Sequence, residues 1–115
     1  MTDLTRGTVV WVDLDPVRGR EQAGRRPALI IASNAFLQVA DSLAIICPAT
    51  TADRGWPNHV RLRGPNLQLP RPTFAMTEQP RTVTRDRFAG VAGTVDAATM
   101  EEVDRWLRDF LTPSG

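Results

Sequence analysis

Two apolar, β-branched segments joined by a long charged loop constrain the fold of this chain more than any other feature. Residues 9–14 and 28–33 are both typical of strands. Their connection, residues 15–26, is too long for a tight hairpin turn. It carries four arginines and two acidic residues: Arg18, Arg20, Arg25, Arg26, Asp15 and Glu21. A charged loop held between two strands is a common place for binding or catalysis, and guanidinium groups suit phosphate. The alternative is a solvated loop in a chain that contains no lysine.

Composition narrows the class of protein. A chain of 115 residues forms one domain, residues 1–115, with 42% hydrophobic and 23% charged residues as in soluble proteins. Its net charge of +1 gives no global basic field, so any nucleic-acid role depends on local clustering. A single cysteine, Cys47, and a single histidine, His59, exclude an internal disulfide and a Cys- or His-rich metal site. No apolar run is long enough for a membrane span, so we expect a cytoplasmic protein without metal or other cofactor.

The hydrophobic pattern predicts a mainly β protein. Strands are expected at residues 8–14, 27–33, 43–48, 59–63, 73–78, 81–83 and 91–95. A short helical turn is expected at residues 34–39, after Ser33 or Asn34 as its cap. One convincing helix follows Asp96, with an apolar stripe that runs to Leu111, and Pro113 ends it. Several strands with irregular loops and one terminal helix indicate a small barrel.

Four segments in order, VDLDP, REQAGRRPALI, CPATT and EQPRTV, resemble the MazF/PemK family of toxin endoribonucleases. The likeness runs from Gly7 to the terminal helix. It implies an SH3-like (CcdB/PemK-like) barrel with a C-terminal α-helix, usually a homodimer. It also implies metal-free, sequence-selective cleavage of single-stranded RNA, whether mRNA, tRNA or rRNA, and neutralisation by a cognate antitoxin.

The resemblance also implies the catalytic residues. The arginine before the motif proline and the threonine that closes the third strand correspond to Arg26 and Thr50, and Glu21 has been implicated in relatives. The chain departs from the family pattern at Thr8, where an acidic residue is common. One branch has a histidine and an Arg-x-Asp pair where this chain has Arg20, Met76 and Glu78, so the acid–base scheme of that branch does not transfer whole.

The remaining candidate residues would bind the substrate. They are Arg18, Arg20, Gln22, Arg25, Thr51, Arg54, Trp56 and Glu78. Trp56 lies in a loop beside Arg54 and Gly55, where it could stack on a splayed base; a hydrophobic cap or a partner contact fits it equally well. His59 and Cys47 are interpreted as structural.

The chemistry limits the roles of these residues. Metal-free cleavage needs a base for the 2′-hydroxyl, stabilisation of the phosphorane and a proton for the leaving oxygen. Arg26 stays protonated, so it can stabilise charge but cannot act as the base. Glu21 is the first candidate base and Glu78 the second. The structural alternatives are an ion pair for Arg26 that fixes the loop and a turn-forming role for Thr50.

Two other functions compete with the nuclease. A noncatalytic, CcdB-like topoisomerase poison would use the same fold, but its contact depends on an apolar-aromatic tip of the terminal helix. This chain ends LTPSG and contains the E-Q-x-G-x-R-P and P-x-T elements, which favour the nuclease. An RNA-binding or antitoxin-sequestering homologue that has lost activity is the third possibility, left open by Thr8, Met76 and Glu78.

Overall fold

A computed structural model describes residues 4–14 and 24–113 of the chain. Within them, seven strands and two α-helices follow one another along the sequence. The strands are β1 Thr8–Val12, β2 Arg26–Ile30, β3 Leu43–Thr50, β4 His59–Arg61, β5 Phe74–Met76, β6 Arg81–Thr84 and β7 Phe88–Thr94. The helices are α1 Asn34–Val39 and α2 Ala97–Leu111, and a 3-10 turn at Arg85–Arg87 precedes β7.

The strands form one antiparallel sheet in the order β4-β5-β3-β2-β1-β7. Strand β3 is its organising element because it has two partners on one edge. The first half of β3 pairs with β6, where Ala44 is opposite Val83. Its end pairs with β5, where Thr50 is opposite Phe74. The eight residues of β3 therefore join the two parts of the sheet.

Alternation along the strands gives the sheet two apolar faces. Even-numbered residues such as Val10 and Ile46 form one core cluster, which Leu37 of α1 joins. Odd-numbered residues such as Val9, Leu29 and Cys47 form a second cluster with Val103 and Leu107 of α2. Leu29 and Ile46 are completely buried, and each such side chain contributes roughly 1.5–3 kcal/mol to folding.

Local interactions fix the start and the middle of α2. The Asp96 carboxylate accepts a hydrogen bond from the Thr99 amide at 2.8 Å and so caps the first turn, as the sequence predicts. Farther along, Asp104 forms a two-pronged ion pair with Arg6, which also donates to the Ile31 carbonyl at 3.0 Å. The segment before β1 is thereby tied to the helix.

The predicted elements are confirmed in order and type, with changed boundaries. Strand β2 begins at Arg26 and ends at Ile30, three residues before the predicted end, and β3 continues to Thr50. Strands β4 and β5 are shorter than predicted, with three residues each. Strand β7 begins at Phe88 instead of Val91, because glycines at 90 and 93 obscure its alternation. Neither helix is long and apolar enough to cross a membrane in the part of the chain that the structure describes.

Candidate active site

The register of the sheet brings Arg26 and Thr50 to the same end of neighbouring strands. Ala28 of β2 is opposite Pro48 of β3. Two residues beyond this last ladder pair, β2 begins at Arg26 and β3 ends at Thr50. Because the strands are antiparallel, the two residues lie at the same end of the β2–β3 pair. Alternation also puts them on the face of Ala28 and Pro48, at the edge of the first apolar face.

The hydrogen bonding of Thr50 leaves its hydroxyl group able to donate. Its Oγ1 accepts a hydrogen bond from the Ala52 amide at 3.1 Å, which fixes the turn after β3. A hydroxyl that accepts one hydrogen bond still has its own O–H to offer. The half-buried Thr50 side chain, positioned by the Ala52 amide, therefore presents a neutral hydrogen-bond donor at the end of β3.

Arg26 and its neighbour Arg25 supply positive charge at the same place. Both side chains are exposed, and Arg26 is fixed in the sheet by pairing with Val12 of β1. Neither of the two ion pairs found within residues 4–14 and 24–113 involves Arg25 or Arg26. A guanidinium group beside a hydroxyl donor is suited to the non-bridging oxygens of a phosphodiester.

A row of opposed residues continues from Thr50 across the sheet. Thr50 of β3 is opposite Phe74 of β5, and Phe74 is in turn opposite Arg61 of β4. The neighbouring residues Ala49, Ala75 and Val60 face the second apolar cluster, so the row faces the other way. The row adds an aromatic side chain, Phe74, next to Thr50 and a cation, Arg61, one strand farther away.

A second polar cluster surrounds the carboxylate of Glu78, just after β5. Asn58 Nδ2 donates to Glu78 Oε1 at 2.8 Å, and His59 Nε2 lies 3.1 Å from Oε2. Gln79 Nε2 also donates to Oε2, at 3.2 Å. Partial burial would raise the pKa of Glu78, but the bonds from His59, the backbone and Gln79, with attraction to His59, lower it below its ordinary value. Glu78 is therefore an ionised carboxylate whose oxygens are already occupied.

Trp56 covers His59 on the outer side of this cluster. The two rings lie 4.8 Å apart between centroids, and the side chain of Trp56 is 50% exposed. The Arg54 guanidinium lies 6.0 Å from the centre of the Trp56 ring. His59 is buried, and its Nδ1 has no hydrogen-bond partner among the described residues. An exposed aromatic face with a cation beside it is a platform on which a nucleic-acid base can stack.

A cavity of about 440 Å³ lies beside this cluster, between β4 and the start of α2. Its walls include His59, Arg61, Phe74 and Asp53, together with the first turns of the helix. The Thr50 row and the His59 cluster therefore border the same depression. Residues 4–14 and 24–113 contain no group of three His, Cys, Asp or Glu side chains that could hold a metal ion.

Other predicted residues are only partly placed. Thr51 is exposed in the turn after β3. Arg18, Arg20, Glu21 and Gln22 lie outside the described residues. Cys47 is buried in β3, where burial and the negative charge of Glu78 raise its pKa to about 12.

The partnership of His59 with Glu78 is absent from the sequence interpretation. The two residues are nineteen positions apart, and a lone strand histidine alone indicates only packing. No sequence signal marks the pair: the two residues meet because β4 and β5 pair with His59 opposite Met76, two residues before Glu78. The sequence interpretation also omits Phe74, Asn58 and Gln79, which the pairing of β4 with β5 brings close to these residues.

Comparison with known proteins identifies the family. Residues 5–111 match the model of the PemK-like, MazF-like toxin of type II toxin–antitoxin systems. The chain is 32% identical over 110 residues to the endoribonuclease MazF2 of Mycobacterium bovis, covering 94% of this chain and 96% of the relative. It is 36% identical over 90 residues to the endoribonuclease toxin MazF of Escherichia coli, covering 77% of each.

Solved structures confirm the predicted fold. The MazE–MazF complex of Deinococcus radiodurans contains a chain that superposes with a TM-score of 0.81 at 29% identity, covering 99% of this chain and all of that one. The family model and the curated relatives extend over most of the sequence, and those relatives are endoribonucleases. The chain therefore belongs to the PemK-like, MazF-like toxins of type II toxin–antitoxin systems.

Proposed function

We propose that this chain is a metal-independent endoribonuclease that cleaves single-stranded RNA at selected sequences. The observation that carries the proposal is the position of Arg26 and Thr50 at one end of two paired strands. In this reaction the 2′-hydroxyl attacks the adjacent phosphorus and expels the 5′-oxygen of the next nucleotide. The base removes the proton of the 2′-hydroxyl and the departing 5′-oxygen takes up one proton, so the products are a 2′,3′-cyclic phosphate and a 5′-hydroxyl and the step consumes neither water nor metal.

Arg26 and Thr50 stabilise the transition state in this account. Negative charge builds up on the non-bridging phosphoryl oxygens, where the Arg26 guanidinium and the Thr50 hydroxyl donate hydrogen bonds. Fixed donors of this kind are worth about 3–4 kcal/mol each in other enzymes. Because β2 and β3 hold both groups in the sheet, little reorganisation is needed when the charge develops.

Glu21 is the proposed general base for the 2′-hydroxyl. It lies outside the described residues, in the charged loop that leads into Arg26. Glu78, the second candidate, is bonded to Asn58, His59 and Gln79, and its lowered pKa makes it a weak base. The geometry therefore favours a positioning role for Glu78, in which it holds the His59 and Asn58 side chains beside the substrate surface.

The substrate surface extends to both sides of Arg26 and Thr50. Arg25 and Thr51 flank them, and Arg54 with Trp56 offers the stacking platform. Arg18, Arg20 and Gln22 in the charged loop complete the proposed contacts. Such loops read base edges and stack on splayed bases, while arginines bind the phosphates.

A cognate antitoxin would neutralise the enzyme, and two copies of the chain would form a homodimer. The support is the family membership and the similarity to a chain of a MazE–MazF complex. The curated relatives favour the nuclease over the CcdB-like topoisomerase poison, because they are endoribonucleases over most of this chain. We expect the chain to act in the cytoplasm, on mRNA, tRNA or rRNA.

Product analysis in the presence of EDTA tests this function. Purified protein is incubated with a long unstructured RNA in excess EDTA, and the 5′ ends are mapped. We expect discrete cuts whose 5′ ends accept label from a polynucleotide kinase without prior phosphatase treatment, which identifies a 5′-hydroxyl. Cleavage abolished by EDTA, or 5′-phosphate ends, would contradict the proposed chemistry. RNA bound without any cut would instead support an inactive RNA-binding homologue.

A further inference from the structure

A second groove lies on the other side of Arg61 and Arg63, against the loop that joins β4 to β5. Its volume is about 420 Å³. Three arginines line it, Arg61, Arg63 and Arg71. The remaining walls are mainly leucine and proline side chains of residues 67–72, and no carboxylate contributes to them. The groove thus combines three positive charges with an apolar floor.

The charge of this groove is not cancelled locally. Neither ion pair in the described part of the chain involves any of its three arginines. Asp53, Asp96 and Glu102 line the neighbouring cavity with Arg61 and Arg63, but none of them lines this groove. The pKa of Asp96 is lowered first by its hydrogen bonds with Thr99 and last by the charge of Arg63. All three arginine side chains are exposed, so they are available to an anionic ligand.

The backbone around the groove is held in place. Leu62 donates to the Thr73 carbonyl at 2.9 Å, and Thr73 Oγ1 donates to the Arg71 carbonyl at 2.9 Å. The Arg63 carbonyl accepts a hydrogen bond from the Asp96 amide at 2.8 Å. Gly64 packs so closely on the Thr94 carbonyl that any Cβ there would collide with it. The arginines therefore project from a fixed frame.

The groove is continuous with the candidate active site. Arg61 and Arg63 line both this groove and the cavity beside His59 and Phe74. Arg61 also ends the row that starts at Thr50, two strand spacings or about 10 Å away. A chain that crosses the sheet along this row would next meet Arg63 and Arg71.

We propose that the groove of Arg61, Arg63 and Arg71 binds the phosphates of RNA nucleotides that flank the cleaved bond on one side. The inference rests on the proposed nuclease function and deepens it by assigning a second substrate-binding region. Arginine forks match phosphate oxygens, and the leucine and proline floor offers an apolar surface for a base or sugar. Continuity with the Thr50 row favours RNA over an acidic protein, because RNA repeats its charge along the whole path.

Salt dependence of binding tests this assignment. The probes are fluorescein-labelled 2′-O-methyl RNAs of about five and about twelve nucleotides, a range typical of single-strand sites. They lack the attacking 2′-hydroxyl, so binding is measured without cleavage. Dissociation constants are measured by anisotropy at several salt concentrations for wild type, R63Q/R71Q and the control R108Q, which alters an exposed arginine near the end of α2.

For the longer RNA, we expect R63Q/R71Q to reduce the slope of log affinity against log salt by about 1.4, since each lost single-strand phosphate contact removes about 0.7. For the shorter RNA, R63Q/R71Q should change this slope much less. The control R108Q should have the wild-type slope with both RNAs. Equal slopes for R63Q/R71Q and wild type, or no binding by wild type, would overturn the assignment.

The same variants separate the two proposals and the alternative partner. If wild type cleaves RNA and R63Q/R71Q keeps the wild-type salt slope, the assignment of the groove is wrong and the proposed nuclease function is retained. If wild type binds RNA without cutting it, and R63Q/R71Q shows the expected reduction in slope, the nuclease proposal is wrong and the assignment of the groove is retained. A fluorescent poly-glutamate peptide that binds wild type and loses affinity in R63Q/R71Q, with RNA slopes unchanged, would assign the groove to an acidic protein.

Discussion

Glu78 and His59 form a hydrogen-bonded pair that joins the turn after β5 to the start of β4, with 3.1 Å between Oε2 and Nε2. The pair couples a carboxylate at the surface to a buried ring. His59 lies under Trp56, and Asn58 bonds to the other oxygen of Glu78. The shape of the loop before β4, which presents Trp56 and Arg54, therefore depends on Glu78.

The pair should make stability depend on pH. The pKa of Glu78 is lower in the folded chain than its ordinary value of 4.5, so the unfolded chain takes up this proton first. Its stabilisation is complete above pH 4.5 and is lost as the pH falls through the folded pKa. Urea unfolding should show E78Q less stable than wild type at pH 7, with the difference shrinking at pH 3.

Controls distinguish the pair from a general surface effect. E78A should cost about 1–3 kcal/mol at pH 7, because it leaves the buried Nε2 of His59 without an acceptor. Glu101→Gln on the exposed side of α2 should follow the wild-type pH profile. A difference between E78Q and wild type that is the same at pH 7 and pH 3 would argue against the role of this carboxylate.

Trp56 should contribute to RNA binding by stacking. Its ring is half exposed, with Arg54 beside it. We expect W56A to raise the dissociation constant for single-stranded RNA about 5- to 150-fold, the equivalent of roughly 1–3 kcal/mol for one base. W56F should recover most of the affinity, and Phe110→Ala at the exposed end of α2 serves as the control. Wild-type affinity and cleavage in W56A would remove Trp56 from the substrate surface.

Cys47 should be unreactive in the folded protein. Burial first, and the charge of Glu78 second, raise its pKa to about 12, so almost none is thiolate at pH 8. A chromogenic disulfide reagent added at pH 8 should therefore modify the folded chain very slowly and the urea-unfolded chain at once. Rapid modification without urea would show that β3 opens readily.

The ion pair of Arg6 with Asp104 should stabilise the attachment of α2. It is half-buried and two-pronged, and Arg6 also bonds to the Ile31 carbonyl. We expect Arg6→Ala to lower the free energy of unfolding by about 1–2 kcal/mol. A double-mutant cycle with Asp104→Asn should give a coupling of about 1 kcal/mol, whereas strict additivity would mean that the pair contributes nothing.

The sequence predicts the elements of this fold better than their arrangement. Continuous apolar runs identify β1, β2 and β3, and the caps Ser33 and Asp96 mark both helices. The short strands β4 and β5 are overestimated for different reasons. Apolar alternation continues to Leu62 after β4 ends at Arg61, whereas Thr77 and Glu78 leave β5 for a turn directly after Met76. The start of β7 is missed because its glycines carry no side chain to show the alternation.

For the candidate site too, the sequence identifies individual residues better than their arrangement in space. Arg26 and Thr50 can be chosen from the sequence by their motifs, but their proximity follows from the β2–β3 register, which depends on tertiary packing. His59 illustrates the opposite case: a lone histidine indicates packing until β4 pairs with β5 and brings Glu78 within hydrogen-bond distance. The arginine groove likewise depends on the fold of residues 64–72, which the sequence indicates only as a loop.

Single-turnover cleavage by Arg26 and Thr50 variants tests the central claim most directly. Wild type, R26A, T50A and the double variant are compared in EDTA on an RNA that wild type cuts, with Arg108→Ala and Thr82→Ala as exposed controls. We predict a loss of about 10²–10³ for R26A and a smaller loss for T50A. The double variant should lose less than the product of the two, because both groups act on one phosphate. Wild-type rates in R26A and T50A would contradict the account.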